Sequence, residues 1–192
     1  MTPRDLEEYR ALRSTIRERG TARAWMLLAG FGLWAALTTA TAALAALPIA
    51  TLLPLLILAV AFETVFALHT GVERIGQYIH VFFENEDADP GWEHRSMAYG
   101  ETAHAAATDP LLASYFWLAT VANFIPALFA SPVPIEWGVV GSIHLLFILR
   151  VGVARRQAAR QRAIDLERFR QLEATKPRNH EDSSNSYFRG YF

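Results

Sequence analysis

Glu101-Thr102-Ala103-His104 sets a carboxylate and an imidazole three residues apart, a spacing that turns both toward one side of a helix. Upstream, His69, Glu73, Gly76, His80 and Glu84 recur at intervals of three and four, so on a helix they also share a face. Between the two groups, Asn85-Glu86-Asp87-Ala88-Asp89-Pro90-Gly91 is a turn cluster in which Asp89 suits a helix cap and Pro90 a first helical residue. Folding the chain antiparallel about that turn brings residue 80 near 97 and residue 73 near 104. Glu73, Glu101 and His104 would then converge, with His69 on one side and His80 on the other. Histidine and carboxylate together form a donor set for a mononuclear Zn²⁺ or Fe²⁺ site. The plainer alternative is an exposed polar face laced with salt bridges, which needs no ligand.

A di-iron carboxylate centre would require two Glu-x-x-His motifs and two further carboxylates, and this chain supplies one motif. Cysteine is absent, which removes disulfides, thiolate catalysis and sulfur-ligated metal centres. No glycine-rich phosphate loop, nucleophile elbow or zincin motif occurs. Two further ionisable residues, Glu63 and His144, lie inside apolar stretches, where an unpaired charge is costly and a functional role is the default reading. Counted from Gly71 and Gly152, each sits eight residues in, roughly 12 Å at helical rise, so a Glu63–His144 pair is predicted. It would serve proton relay or ion coordination, or only hold helices together, with Thr64 or Asn123 as further partners. Haem ligation by His69 and His144 is disfavoured, because their depths differ by roughly 10 Å.

The elements that must position these residues follow from the distribution of charge. Ala24 to Phe62 is a run of thirty-nine residues without a charged side chain, close to twice the ~20 needed for one helical crossing of a bilayer. Pro48 and Pro54 stand where such a run would turn, giving spans at about 25–47 and 49–70 in a hairpin over 24–70. The sequence after Gly71 keeps an apolar pattern through Phe83, so the second helix projects beyond the bilayer into a helical hairpin over 71–109. Thr108-Asp109-Pro110 starts a third span, 111–130, with Pro126 expected to kink it, and a fourth follows at 135–152, making a second hairpin over 110–152. Thr2-Pro3-Arg4-Asp5 opens an amphipathic helix over 1–20 that ends near Gly20. A basic helix covers 153–176, and a polar tail, 177–192, ends in Tyr187, Phe188, Tyr191 and Phe192. Gly30 and Gly32, Gly71 through Gly76, and Gly138 through Gly141 read as positions of close helix packing.

Arg and Lys number six in residues 1–23 and nine in 150–178, and none occurs at the connections near 48 and 132. The positive-inside rule therefore places both termini in the cytoplasm. Leading charges to Arg23, including four acids, argue against a cleaved signal peptide. A net charge of −1 gives no electrostatic case for nucleic acid. The fold class expected is all-α: a polytopic protein of the bacterial inner membrane, with two transmembrane hairpins joined by a cytoplasmic helical hairpin. Its expected role is a non-catalytic subunit or scaffold of a larger or homo-oligomeric assembly, partnered by lipid, by itself or by other membrane subunits. The aromatic tail residues are the predicted partner-binding group. The alternatives are a Zn- or Fe-binding membrane enzyme or redox protein, and a small channel or transporter working through Glu63 and His144.

Overall fold

The computed structural model describes residues 2–44, 47–84, 91–96 and 110–175. Among these residues all regular structure is helical: α1 (Pro3–Leu44), a 3-10 turn (Pro48–Thr51), α2 (Leu52–Phe83), a short helical stretch at 92–96, α3 (Pro110–Phe129) and α4 (Pro134–Thr175). Four of these helices are long and apolar enough to cross a membrane.

The helix starts follow the local signals. The Asp5 N–H donates to Thr2 Oγ1 at 3.2 Å and the Thr2 N–H to Asp5 Oδ2 at 2.8 Å, so each side chain satisfies the other's backbone while Pro3 takes the first helical position. Pro110 and Pro134 open α3 and α4, and the Glu136 carboxylate accepts the Val133 N–H at 3.0 Å. Pro126 lies inside α3, which continues through it to Phe129.

Two boundaries differ from the sequence reading. The predicted helix end at Gly20 does not exist: α1 is one helix of 42 residues, roughly 63 Å long. No glycine among the described residues takes the left-handed conformation that closes a helix, and an interior glycine costs only about 1 kcal/mol. Thr21-Ala22-Arg23 supplies no proline to stop the chain, so the helix runs on. The second apolar helix begins at Leu52 instead of residue 49, because Pro48 to Thr51 is spent on the turn, where Thr51 Oγ1 donates to the Pro48 carbonyl at 2.8 Å. Pro54 then falls in the first turn of α2, where its missing N–H would have had no intrahelical partner. Beyond that, α2 continues to Phe83 as its apolar pattern predicts, and α4 carries its apolar and basic halves in one helix of 42 residues.

Helices α1 and α2 run antiparallel, with Arg13 against Glu84, Arg23 against His69 and Gly30 against Ala61. A Cβ on Gly30 would lie 2.6 Å from that of Ala61, so here a glycine is required for the two backbones to approach. Gly32, Gly138 and Gly141 carry no such constraint: a Cβ at any of them meets nothing within 4 Å, so the close packing predicted for them is absent. Helices α3 and α4 also run antiparallel, joined by Trp117 Nε1 donating to the Ile148 carbonyl at 3.2 Å and by Asn123 against His144. Helices α2 and α4 run parallel, as the pairs Glu63–Arg150 and Arg74–Asp165 require.

The core between them is aromatic. Phe116 of α3 lies 5.2 Å from Phe31 of α1 and 5.2 Å from Phe62 of α2, and Phe147 of α4 completes the cluster beside Leu58 and Val151. Helix α3 is only 20 residues, roughly 30 Å, which matches the hydrocarbon thickness of a bilayer. Helices α1, α2 and α4 run on past its start, and there α2 packs against the other two, through Tyr9 of α1 on Phe83 and Tyr78 on Phe169 of α4.

Candidate functional site

Two polar constellations occupy this frame, one beyond the start of α3 and one inside the apolar belt. In the first, His69 Nδ1 lies 2.8 Å from an Arg23 nitrogen, and since a guanidinium only donates, Nδ1 accepts. The ring proton is therefore on Nε2, which faces Glu73 Oε1 at 3.4 Å. Glu73 also takes Arg162 Nη1 at 3.1 Å. Positive charge that a metal ion would bring to this carboxylate is thus already supplied by an arginine from α4. His80 is buried, and its ring lies 5.3 Å from that of His94 in the 92–96 stretch. Among the described residues no three histidine or acidic side chains converge on a common point. Glu101 and His104 lie outside the described residues, as do Tyr187, Phe188, Tyr191 and Phe192.

The segment after the turn does fold back on α2, but about three residues short of the predicted register: His80 meets His94, where position 97 was expected. Glu84 accounts for the shift. Its carboxylate accepts the backbone N–H of Glu93 at 3.0 Å and of His94 at 2.7 Å, holding the free amides that open the 92–96 helical stretch. Arg13 of α1 pairs with both Glu84 and Glu93. Burial works against the Arg13 charge, yet hydrogen bonds to Tyr9 and Glu93 outweigh it and raise its pKa above the usual guanidinium value. Arg74 pairs with Asp165 at 2.9 Å, and Gln77 Nε2 donates to the Arg162 carbonyl at 3.1 Å. The pairing of Arg13, Arg23 and Arg162 with these acids and histidines was not anticipated from the sequence. The available signal was their position one helix away from a lone acid or histidine at a comparable depth.

The second constellation centres on Asn123 of α3, which is fully buried. Its Oδ1 accepts from Trp34 Nε1 and Thr38 Oγ1 of α1, both at 3.2 Å. Its Nδ2 donates to the Thr51 carbonyl at 2.8 Å and meets His144 Nε2 of α4 at 3.0 Å. Donor chemistry fixes the whole arrangement. An indole N–H can only donate and a carbonyl can only accept, so the amide has one possible orientation, and His144 Nε2 must present its lone pair. His144 Nδ1 then carries the proton and donates to the Val140 carbonyl at 2.8 Å. All four hydrogen-bonding valences of the amide are used, on α1, on the turn before α2, and on α4.

The predicted Glu63–His144 pair is not formed. His144 belongs to the Asn123 network, whereas Glu63 points outward and takes Arg150 at 2.8 Å. The equal-depth estimate fails: Glu63 stands level with Arg150, six residues and so roughly 9 Å along α4 from His144. Thr64, offered as a further partner, donates to Val60 of its own helix. His69 and His144 are each engaged elsewhere and do not face one another. Comparison with known protein families, curated proteins and solved structures finds no match.

Proposed function

We propose that this chain is a four-span protein of the bacterial inner membrane, with both ends in the cytoplasm, acting as a non-catalytic scaffold subunit of a homo-oligomeric or larger assembly. The arginine-rich segments at the two ends lie on the same side of the apolar belt, which is the distribution the positive-inside rule favours for a cytoplasmic face. The apolar helices then form two transmembrane hairpins, and residues 71–109 link them on the cytoplasmic side.

One observation carries the reading. Three helices extend past the apolar belt and are cross-tied there by Arg13 with Glu84 and Glu93, Arg162 with Glu73, and Arg74 with Asp165. The charged groups of this platform are used on one another, which suits a rigid support better than a reaction centre. Native mass spectrometry of the full chain, released from membranes in mild detergent, tests the proposal. Oligomers or complexes with other membrane chains are expected, and a lone monomer under all gentle conditions would overturn it.

A second reading, a Zn- or Fe-binding membrane protein, is favoured by the adjacency of His80 and His94, whose ring separation of 5.3 Å suits two imidazoles on one ion. Glu101 and His104 are the further donors this reading would use, since Glu73 and His69 stand seven and eleven residues before His80, more than about 10 Å along α2, and are held by Arg162 and Arg23. Elemental analysis of the purified chain decides this reading, with one transition metal per chain in its favour and a trace amount against it.

A further inference from the structure

Glu63 and Arg150 form an ion pair on the outer surface of the helix bundle, with side-chain exposures of 48% and 43%. Their depth makes that exposure informative. Glu63 lies six residues before His69, which pairs with Arg23, and Arg150 lies five residues before Arg155, whose guanidinium stands over Trp117. These intervals put the pair roughly 8 Å inside the belt of Arg23, His69 and Arg155. Along α4 the distance from Glu136 to Arg155 is nineteen residues, or roughly 28 Å, whereas Glu136 to Arg150 would give roughly 21 Å. Only the first matches a hydrocarbon thickness of ~30 Å and the length of α3. The ion pair is therefore below the membrane surface, on a side of the bundle that no helix among the described residues covers. Charges at such depth ordinarily face a bundle interior or a water-filled cavity, because lipid tails cannot solvate them.

The residues around the pair have the pattern of a packing seam. Leu56, Val60 and Glu63 on α2, and Leu146, Arg150 and Val153 on α4, are exposed and recur at intervals of four and three. This alternation is that of two helices meeting along their length. The two stripes lie on parallel helices, with the acid and the base at the same level.

We propose that this α2/α4 face is covered by a second copy of the chain, inserted in the same direction and related by a two-fold axis along the membrane normal. That operation sets α2 against the partner's α4 and keeps every residue at its own depth. Glu63 then meets an Arg150 of the other copy at the level where both already sit, so four charges close into an alternating ring. A foreign partner would need an acid and a base at matching depth, and a second copy has them by construction. The inference rests on the scaffold reading above and names the surface through which copies would join.

The chain has no cysteine, so the test uses single cysteines in the otherwise unaltered full-length protein in membranes. Val60→Cys and Leu146→Cys chains, co-expressed under different tags, are expected to give a mixed disulfide-linked dimer on mild oxidation, because α2 of one copy faces α4 of the other, while Leu118→Cys on the outer side of α3 gives none. Charge exchange separates contacts between copies from contacts within one. Glu63→Arg alone and Arg150→Glu alone should each weaken self-association on the order of tenfold or more. Co-expressed under different tags, those two variants should recover a mixed dimer, because every contact across the interface is then between opposite charges. Crosslinking confined to Leu118→Cys, or single variants that self-associate like the wild type, would overturn the α2/α4 interface and leave an assembly through another surface standing. Absence of any dimer by crosslinking and native mass would overturn both readings. Phospholipid bound by the monomer, and lost in Arg150→Gln, would identify a lipid headgroup as the occupant and overturn the second copy.

Discussion

Replacing Asn123 with leucine keeps the number and branching of the side-chain heavy atoms but removes the amide that bonds to α1, the turn before α2, and α4 at once. Four hydrogen bonds are lost, to Trp34, Thr38, the Thr51 carbonyl and His144. Side-chain hydrogen bonds between membrane helices average roughly 0.6 kcal/mol, so the bonds alone amount to about 2.4 kcal/mol. The stranded partners are buried and cannot recruit water cheaply, which brings the expected loss to about 2–4 kcal/mol. For a chain of this size that corresponds to a fall of roughly 5–15 °C in the unfolding midpoint. Far-UV circular dichroism of the purified protein in mild detergent measures it. Thr120 is the control: it is equally buried and lies three residues earlier on α3, but its hydroxyl donates only to Phe116 of its own helix. Thr120→Val should stay within about 0.5 kcal/mol of the wild type. If Asn123→Leu proves as mild as Thr120→Val, the network does not hold the four helices together and the reasoning fails.

Two further outcomes are expected. Gly30→Ala should destabilise by about 1–3 kcal/mol in the same assay, because the added Cβ meets Ala61 on a rigid backbone, whereas Gly32→Ala, facing open space, should be neutral or stabilising by up to about 1 kcal/mol. Burial, and then the hydrogen bond to Glu8 and the Glu8 charge, hold the Tyr78 phenol above its ordinary pKa. The folded state therefore keeps this proton longer than the unfolded state, so the associated stability is present below pH ~10 and is lost as pH rises through the folded value. Phenolate absorbance should show a late-titrating tyrosine that Tyr78→Phe abolishes and Glu8→Gln brings to lower pH.

The sequence carried the helices well because their signals are local. Charge-free runs, the Thr2-Pro3-Asp5 start, and the prolines at 110 and 134 each act within one turn, and the corresponding helices begin there. Gly20 misled because glycine ends a helix only where the chain takes a left-handed turn, and nothing following it requires one. Depth could be counted along the chain, so Glu63 and His144 were recognised as unusual. Their partners could not, since those depend on how far each helix slides and how it turns against its neighbours, which the packing of Phe62, Phe116 and Phe147 fixes and which sets Glu63 level with Arg150. The same uncounted slide and rotation turned Gly138 and Gly141 outward and brought Arg150 to Glu63. Asn123 was visible as a possible helper but not as the centre, because its four partners come from segments as distant as Trp34 and His144.

Reaction of single cysteines with a membrane-impermeant maleimide tests the account at its base. In spheroplasts, a cysteine at Ser131, in the connection between α3 and α4, should label readily. Cysteines at Ser14 and Glu167, on the charged extensions of α1 and α4, should label only after the membrane is broken. Labelling of Ser14→Cys or Glu167→Cys in sealed spheroplasts, or recovery of the protein without membrane, would contradict it.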